Sequence, residues 1–208
     1  MIPLVERTSV QLPTYPSSVI AIVGSSCSGK STLVATARSC ALDIHFPKRL
    51  ITRTARLGDD IVENEYCSLA TLQRLWTSMQ LSVRWDRNLG GEHREHYAFR
   101  PLEISMPNVL SANNSFARNE SVNWCGAVSP AITLVLIHAP SELRASRLHD
   151  RSPDLIQTKA AETEVRLGDN ADDLRKSVHF VINNYGKNEA LALSSFKHII
   201  SDILRITS

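Results

Sequence analysis

The chain has 208 residues, of which 43% are hydrophobic and 21% are charged, and this composition excludes a disordered, collagen-like or coiled-coil protein. Its formal net charge of +2 argues against a dedicated nucleic-acid binder, which usually carries a concentrated basic face. The basic residues divide into 17 Arg and 6 Lys. Because the guanidinium fork suits phosphates and carboxylates, this excess is compatible with the binding of a small anion.

The sequence contains no targeting or membrane signal that would place it outside the cytoplasm. The first 18 residues lack a basic region followed by an apolar run, and the longest apolar stretch, 131–139, is too short to span a membrane. Four cysteines without a CxxC pair indicate free thiols in a reducing compartment. A cytoplasmic protein without membrane contact is therefore expected.

In chain order, predicted strands alternate with predicted helices. Residues 1–17 carry three prolines and are interpreted as an extended lead-in to a single domain of residues 18–208. Apolar runs predict strands, and a 3.6-residue apolar period predicts helices. The strands are expected at 19–23, 49–52, 81–85, 96–99, 108–112, 131–138 and 179–182. The helices are expected at 30–42, 69–79, 152–169 and 188–206, with a further helix that is capped by Ser141 and includes Leu148. This alternation predicts an α/β fold with a mainly parallel sheet.

The first strand leads into the sequence GSSCSGKS at 24–31, which matches the phosphate-binding pattern GxxxxGK[ST] in its expected strand-to-helix context. Such a loop curls its backbone N–H groups around phosphates at a helix N-terminus. Lys30 is expected to reach the β- and γ-phosphates of ATP, and Ser31 to place its hydroxyl on Mg²⁺. The predicted nucleotide-binding residues are Ser25, Ser26, Cys27, Ser28, Gly29, Lys30, Ser31 and Thr32.

The remaining sequence narrows the class of P-loop protein. No NKxD motif is present, which argues against a GTPase, and the chain is too short for most ATPase motors. A kinase for a small molecule is the leading hypothesis. Arg53 and Arg56, three residues apart in a polar loop, could clamp one phosphate group of the acceptor.

Segment 49–59 resembles the acceptor-binding segment of the guanylate kinase superfamily, with Arg53, Arg56 and Tyr66 at matching positions. The likeness extends over about residues 18–206. It implies a nucleoside monophosphate kinase-like P-loop NTPase fold, a parallel sheet flanked by helices, with an acceptor-binding subdomain at about 50–100 and a lid at about 147–170. The lid would supply Arg147, Arg151 and Arg166, of which Arg151 and Arg166, together with Lys30, are the predicted catalytic residues.

Guanine-reading acids are not clearly in place, since Asp86 is the single candidate and is out of register. Segments 49–53, 63–64 and 109–114 are more similar to the ribose 1,5-bisphosphate phosphokinase branch, which is associated with phosphonate breakdown. Trp85 and Tyr97 match its tryptophan and tyrosine and are predicted to bind substrate. Open alternatives are a guanylate kinase converting GMP to GDP, a kinase for another phosphorylated or phosphonate metabolite, and a non-catalytic guanylate kinase-like interaction module.

The expected cofactors are ATP and Mg²⁺, and the expected partner is a small phosphorylated substrate rather than nucleic acid or membrane. Because a phosphate oxygen is already ionised at pH 7, the reaction needs no catalytic base. The chain is expected to be a monomer or a homodimer. A second Mg²⁺ ligand stays unassigned, because no aspartate clearly ends a predicted strand.

Overall fold

A computed structural model describes residues 5–10, 19–39, 43–55, 59–88, 94–118, 122–126, 130–151, 171–185 and 189–206. Within these ranges the strands are β1 (Val5–Arg7), β2 (Val19–Val23), β3 (Arg49–Ile51), β4 (Asn64–Tyr66), β5 (Val83–Asn88), β6 (Arg94–Phe99), β7 (Asn108–Ser111), β8 (Asn123–Trp124), β9 (Ile132–His138) and β10 (Phe180–Asn183). The helices are α1 (Lys30–Ser39), α2 (Leu69–Thr77), α3 (Asn114–Ala117), α4 (Ser141–Arg151), α5 (Ala171–Arg175) and α6 (Glu189–Ile206).

The first sheet has the order β1-β10-β9-β2-β7 and carries the strand that leads into the phosphate-binding loop. Strands β10, β9, β2 and β7 are parallel to one another, and β1 pairs with β10 in the antiparallel direction. The predicted α/β class and parallel sheet are confirmed. Strand β1 lies within the segment interpreted as a lead-in, and the sequence pattern did not predict it.

The second sheet has the order β4-β3-β6-β5-β8. Its strands β3 and β4 are parallel, whereas the other neighbours are antiparallel. Because β3 and β4 run in the same direction, the chain leaves both strands at one edge. Arg53 follows β3 and Tyr66 ends β4, so the fold brings the two predicted acceptor residues to that edge.

Apolar packing joins the two sheets and covers the outer face of each. Alternate residues of β2 serve different cores, since Val19 and Ala21 face the second sheet while Ile20 packs beneath the helices α1 and α6. Leu72 and Leu75 of α2 pack on the outer face of the second sheet. A strand buried on both faces is typical of a parallel sheet covered by helices, which explains the continuous apolar run of β2.

Two further details concern single residues. Helix α2 ends at Thr77, two residues before the predicted end, with Ser78 as its C-cap. Met79 therefore lies outside the helix, with a positive φ of 57°, and is 71% exposed. Cys27, Cys67 and Cys125 are free thiols. No helix among the described residues has the length and apolar character needed to cross a membrane.

Candidate active site

The loop between β2 and α1 forms a backbone cradle that only small residues allow. Gly24 and Gly29 have φ values of +151° and +97°, and Cys27 between them has a φ of 59°. A Cβ on Gly24 would overlap the carbonyl oxygen of Ile137, and one on Gly29 would overlap the side-chain amide of Asn184. Left-handed residues that are interspersed in a tight loop can turn its backbone N–H groups toward a common centre, which suits phosphate oxygens. The cradle therefore fits a nucleotide phosphate chain.

Lys30, the first residue of α1, lies over the cradle. Its Nζ donates to the carbonyl oxygens of Gly24 at 2.7 Å and Ser25 at 2.8 Å. Burial and, after it, the nearby charge of Arg49 lower the pKa of Lys30 to about 8, while the charge of Glu63 opposes the shift. An ammonium that is poorly stabilised in the free site favours an incoming anion, because the anion restores its preferred charged form.

Asn184 and Arg147 hold the loop from outside. The side chain of Asn184, 2% exposed, donates to the carbonyl oxygen of Ser28 at 2.9 Å. Arg147 donates to the carbonyl oxygen of Cys27 at 3.2 Å and to Asn184 Oδ1 at 3.4 Å. Asn184 was not among the predicted site residues. Arg147, predicted as a lid residue, contacts the phosphate-binding loop directly.

The predicted acceptor residues Arg53 and Tyr66 converge on a single carboxylate. Arg53 donates to both oxygens of Asp59, at 2.7 and 3.2 Å, and the Tyr66 hydroxyl donates to Asp59 Oδ2 at 2.5 Å. The Arg53 guanidinium also lies 5.6 Å from the centre of the Tyr66 ring. Burial and the Asp59 hydrogen bond raise the pKa of Tyr66 to about 12, so the hydroxyl stays a donor at neutral pH.

A second buried carboxylate, Glu95 of β6, joins further charged groups to this cluster. Glu95 accepts from the Tyr97 hydroxyl and lies 3.5 Å from Arg87 and 3.8 Å from Arg53. Burial, followed by the charge of Glu95, raises the pKa of Tyr97. Arg87 lies opposite Glu95 in the β5–β6 pairing and was missed by the sequence analysis.

Trp85 and Asp86 lie on opposite faces of β5. Trp85 is 1% exposed, stacks on Tyr97 with ring centres 5.3 Å apart, and donates from Nε1 to Asn113 Oδ1 at 3.0 Å. Asp86 bonds His96 across the strands at 2.8 Å. The Trp85 ring is therefore enclosed in the core, and its predicted contact with substrate stays a prediction.

Arg49 connects the acceptor cluster to the phosphate-binding loop. It donates to Asn64 Oδ1 from Nε and Nη2 and to the carbonyl oxygen of Ser111 from Nη1, at 2.7 to 3.0 Å. Its charge, like those of Glu63 and Arg87, acts on Lys30. Charged residues of the second sheet and of the turn before β4 therefore act on the lysine of the phosphate-binding loop. Arg49 stood within the family-like segment, but spacing alone gave no reason to assign it to the site.

The other predicted residues are placed less fully. Ser25, Ser26 and Ser28 lie within the loop, and Ser31 and Thr32 are exposed on the first turn of α1. That turn carries no acidic residue, so its helix dipole is free to attract an anion. Arg56 and Arg166 lie outside the described residues, and Arg151 ends α4 without a described side chain.

Comparisons with known proteins identify the family of the chain and the type of its fold. The chain matches no protein-family model. Over 143 residues it is 30% identical to ribose 1,5-bisphosphate phosphokinase PhnN of Bradyrhizobium diazoefficiens. This match covers 66% of the chain and 67% of that protein. Its fold is similar to the crystal structure of guanylate kinase from Anaplasma phagocytophilum, with a TM-score of 0.52, 15% identity, and coverage of 92% of this chain and 87% of that one. The chain therefore belongs to the family of that ribose 1,5-bisphosphate phosphokinase, among the guanylate kinase-like P-loop kinases, and is a phosphotransferase.

Proposed function

We propose that the protein transfers the γ-phosphoryl group of ATP to a phosphate of a phosphorylated sugar, with ribose 1,5-bisphosphate as the substrate and 5-phosphoribosyl 1-diphosphate as the product. An oxygen of the acceptor phosphate forms a bond to the γ-phosphorus, while the bond from that phosphorus to the β–γ bridging oxygen breaks and ADP leaves. Because the attacking oxygen is already ionised, the chain's task is to position the reactants and stabilise charge.

The observation that carries this proposal is the convergence of Arg53 and Tyr66 on Asp59. A carboxylate presents two oxygens at hydrogen-bonding distance from both donors, much as a phosphate group would. Arg53 and Tyr66 can therefore bind a single oxyanion of the acceptor together. The positive charges of Arg49 and Arg87 act on Lys30, and Arg87 also lies 3.5 Å from Glu95 of the acceptor cluster, which suits a substrate with two phosphate groups.

On the donor side, the loop from Gly24 to Gly29 would hold the phosphate chain of ATP, with Lys30 leaving its carbonyl partners to meet the phosphates. The first-turn hydroxyl of Ser31 would bind Mg²⁺, which supplies charge neutralisation to the phosphates when it is bound. Arg147, already on the loop, and the predicted lid residues Arg151 and Arg166 would add positive charge around the transferred group.

A sugar acceptor is favoured over guanine by the position of Asp86. That residue is the one sequence candidate for a guanine reader, and its carboxylate bonds His96 on the face of β5 opposite to Arg87. The carboxylates beside Arg53, Asp59 and Glu95, already accept hydrogen bonds from Arg53, Tyr66 and Tyr97, so a guanine on the Arg87 side would have to displace one of these bonds to pair its N–H donors.

The test is an ADP-release screen in which ribose 1,5-bisphosphate, GMP, other nucleoside monophosphates and related sugar phosphates compete as acceptors. We expect ribose 1,5-bisphosphate to give the highest kcat/KM, with a new diphosphate signal in the ³¹P spectrum of the product. Lys30→Met is the background control and should lose turnover. Faster turnover of GMP would overturn the sugar assignment and favour a guanylate kinase.

A further inference from the structure

Glu63, immediately before β4, is a buried carboxylate whose oxygens accept no hydrogen bond. Its side chain is 3% exposed, and neither Oε1 nor Oε2 has a hydrogen-bond partner within the described part of the chain. Arg49 Nη2 lies 3.8 Å from Glu63 Oε1, beyond hydrogen-bonding reach. The same nitrogen donates to Asn64 at 2.8 Å, so Arg49 is committed to another acceptor.

A buried carboxylate in this condition is costly to the free protein, since the charge has lost its water without gaining hydrogen bonds. Buried polar groups without partners are rare, and each calls for a physical explanation. A bound ligand that supplies hydrogen bonds would remove the cost. The carboxylate oxygens of Glu63 therefore indicate a subsite at which a bound ligand donates hydrogen bonds.

The position of Glu63 places this subsite between the two halves of the candidate active site. Its charge acts on Lys30 of the donor side, and its chain continues through β4 to Tyr66 of the acceptor side. Arg49 bridges Glu63 to the end of β7, where the Ser111 hydroxyl is likewise buried without a partner. A substrate that spans both halves would pass these groups.

The chemistry of the neighbours selects the kind of group that Glu63 can bind. A phosphate would be repelled by the carboxylate, and a cationic group would meet the positive charges of Lys30 and Arg49. A neutral donor is left. In the proposed acceptor, a sugar that carries two phosphate groups, the neutral donors are the sugar hydroxyls, and a carboxylate can accept from them. A pair of adjacent hydroxyls can satisfy both carboxylate oxygens at once.

We propose that Glu63 is a specificity-determining residue that accepts hydrogen bonds from the sugar hydroxyls of the acceptor, between the two phosphate-binding ends of the site. This assignment rests on the proposed function and names the part of the substrate that Glu63 recognises.

The experiment compares ribose 1,5-bisphosphate with its 2-deoxy analogue as acceptors for the wild-type chain, Glu63→Gln and Glu65→Gln. The last variant is a matched control, because Glu65 lies two residues away but is already paired with Arg100 at 2.5 Å. Removing one hydroxyl leaves a carboxylate oxygen unpaired, so the wild-type chain should prefer ribose by about 10- to 100-fold in kcat/KM. Glu63→Gln should reduce this preference several-fold, and Glu65→Gln should preserve it.

The outcomes separate this inference from the function on which it rests. If the wild-type chain turns over neither sugar, the proposed function and the Glu63 assignment are both overturned. Equal turnover of both sugars by the wild-type chain overturns the Glu63 assignment alone, whether or not the variant folds. A changed Mg²⁺ requirement in Glu63→Gln with an unchanged sugar preference also overturns it. A thermal melt of the free protein gives a readout besides activity: Glu63→Gln should melt no lower than wild type, and a large loss would show a purely structural role.

Discussion

Adding a nucleotide to the free protein at pH 8 should draw protons from solution. The free site holds the pKa of Lys30 at about 8, chiefly through burial. The negative phosphates of a bound nucleotide would favour the charged ammonium and return its pKa toward the ordinary value. From the titration of a group with this pKa, the uptake should be about 0.1 proton at pH 7, about 0.5 at pH 8 and about 0.8 at pH 8.5.

Isothermal titration with ADP and Mg²⁺ in two buffers of different ionisation enthalpy measures this uptake directly. The phosphates contribute little at these pH values, because their second ionisation lies near pH 6. Lys30→Arg keeps a positive charge that does not titrate, so it should abolish the rise of uptake with pH. Cys27→Ser removes the thiol of the loop and should leave the rise unchanged. Uptake that stays near zero at pH 8.5, or that persists in Lys30→Arg, would refute the reasoning.

Three further predictions concern the loop and its neighbours. Lys30→Met should stabilise the free protein at pH 7 by up to about 3 kcal/mol before screening by solvent, because the lowered pKa of Lys30 disfavours folding below pH 8. The gain in the free energy of unfolding should shrink as the pH rises from 8 to 10.5, because over this range the lysine is already neutral in the folded protein but still charged in the unfolded chain. Urea unfolding of both proteins at pH 7 and pH 9.5 measures the gain. Gly29→Ala should weaken ADP binding at least 10-fold and destabilise the fold by about 1–3 kcal/mol, since its φ is +97° and its Cβ would overlap Asn184. Gly126→Ala is its matched control: it has a φ of +107° with no atom nearby, and should affect unfolding without affecting binding. Asp59→Asn should tighten binding of the acceptor by about 10-fold, because it frees Arg53 and Tyr66 from a competing carboxylate, and a raised KM for the acceptor would contradict this.

Much of the donor side was accessible from the sequence because its signal is local. The run Val19–Val23 is apolar at every position since both faces of β2 are covered, and the following glycines have conformations that L residues rarely adopt. Strand β1 gave no such signal. It has three residues and is stabilised by pairing with β10 and by the ion pair of Glu6 with Arg175 at 2.7 Å, both of which depend on residues about 170 positions away.

The acceptor side was harder to predict because its residues meet only through the second sheet. Arg53 and Tyr66 were found by resemblance, but their shared partner Asp59 was not, although it stands between them in sequence. Arg87 and Glu95 face each other across β5 and β6, a register that no local pattern encodes. Asn184 joins the phosphate-binding loop from the far end of β10, a contact set by the order of strands in the first sheet.

The residues that the sequence pattern missed have a common physical character: they are polar groups buried beside charges. Asp59, Glu95 and Glu63 each lie near an arginine, yet they differ in how well they are satisfied. Asp59 and Glu95 accept hydrogen bonds from Arg53, Tyr66 or Tyr97, so they neutralise the acceptor cluster while no anion is bound. Within the described part of the chain Glu63 accepts no such bond, so the cost of burying it is offset only by the charge of Arg49 at 3.8 Å. A phosphate of the acceptor would displace Asp59 from Arg53 and Tyr66, and a sugar hydroxyl would donate to Glu63. The site would then be paired with substrate instead of with itself, so an acceptor that carries both groups should bind more tightly than one that carries either alone.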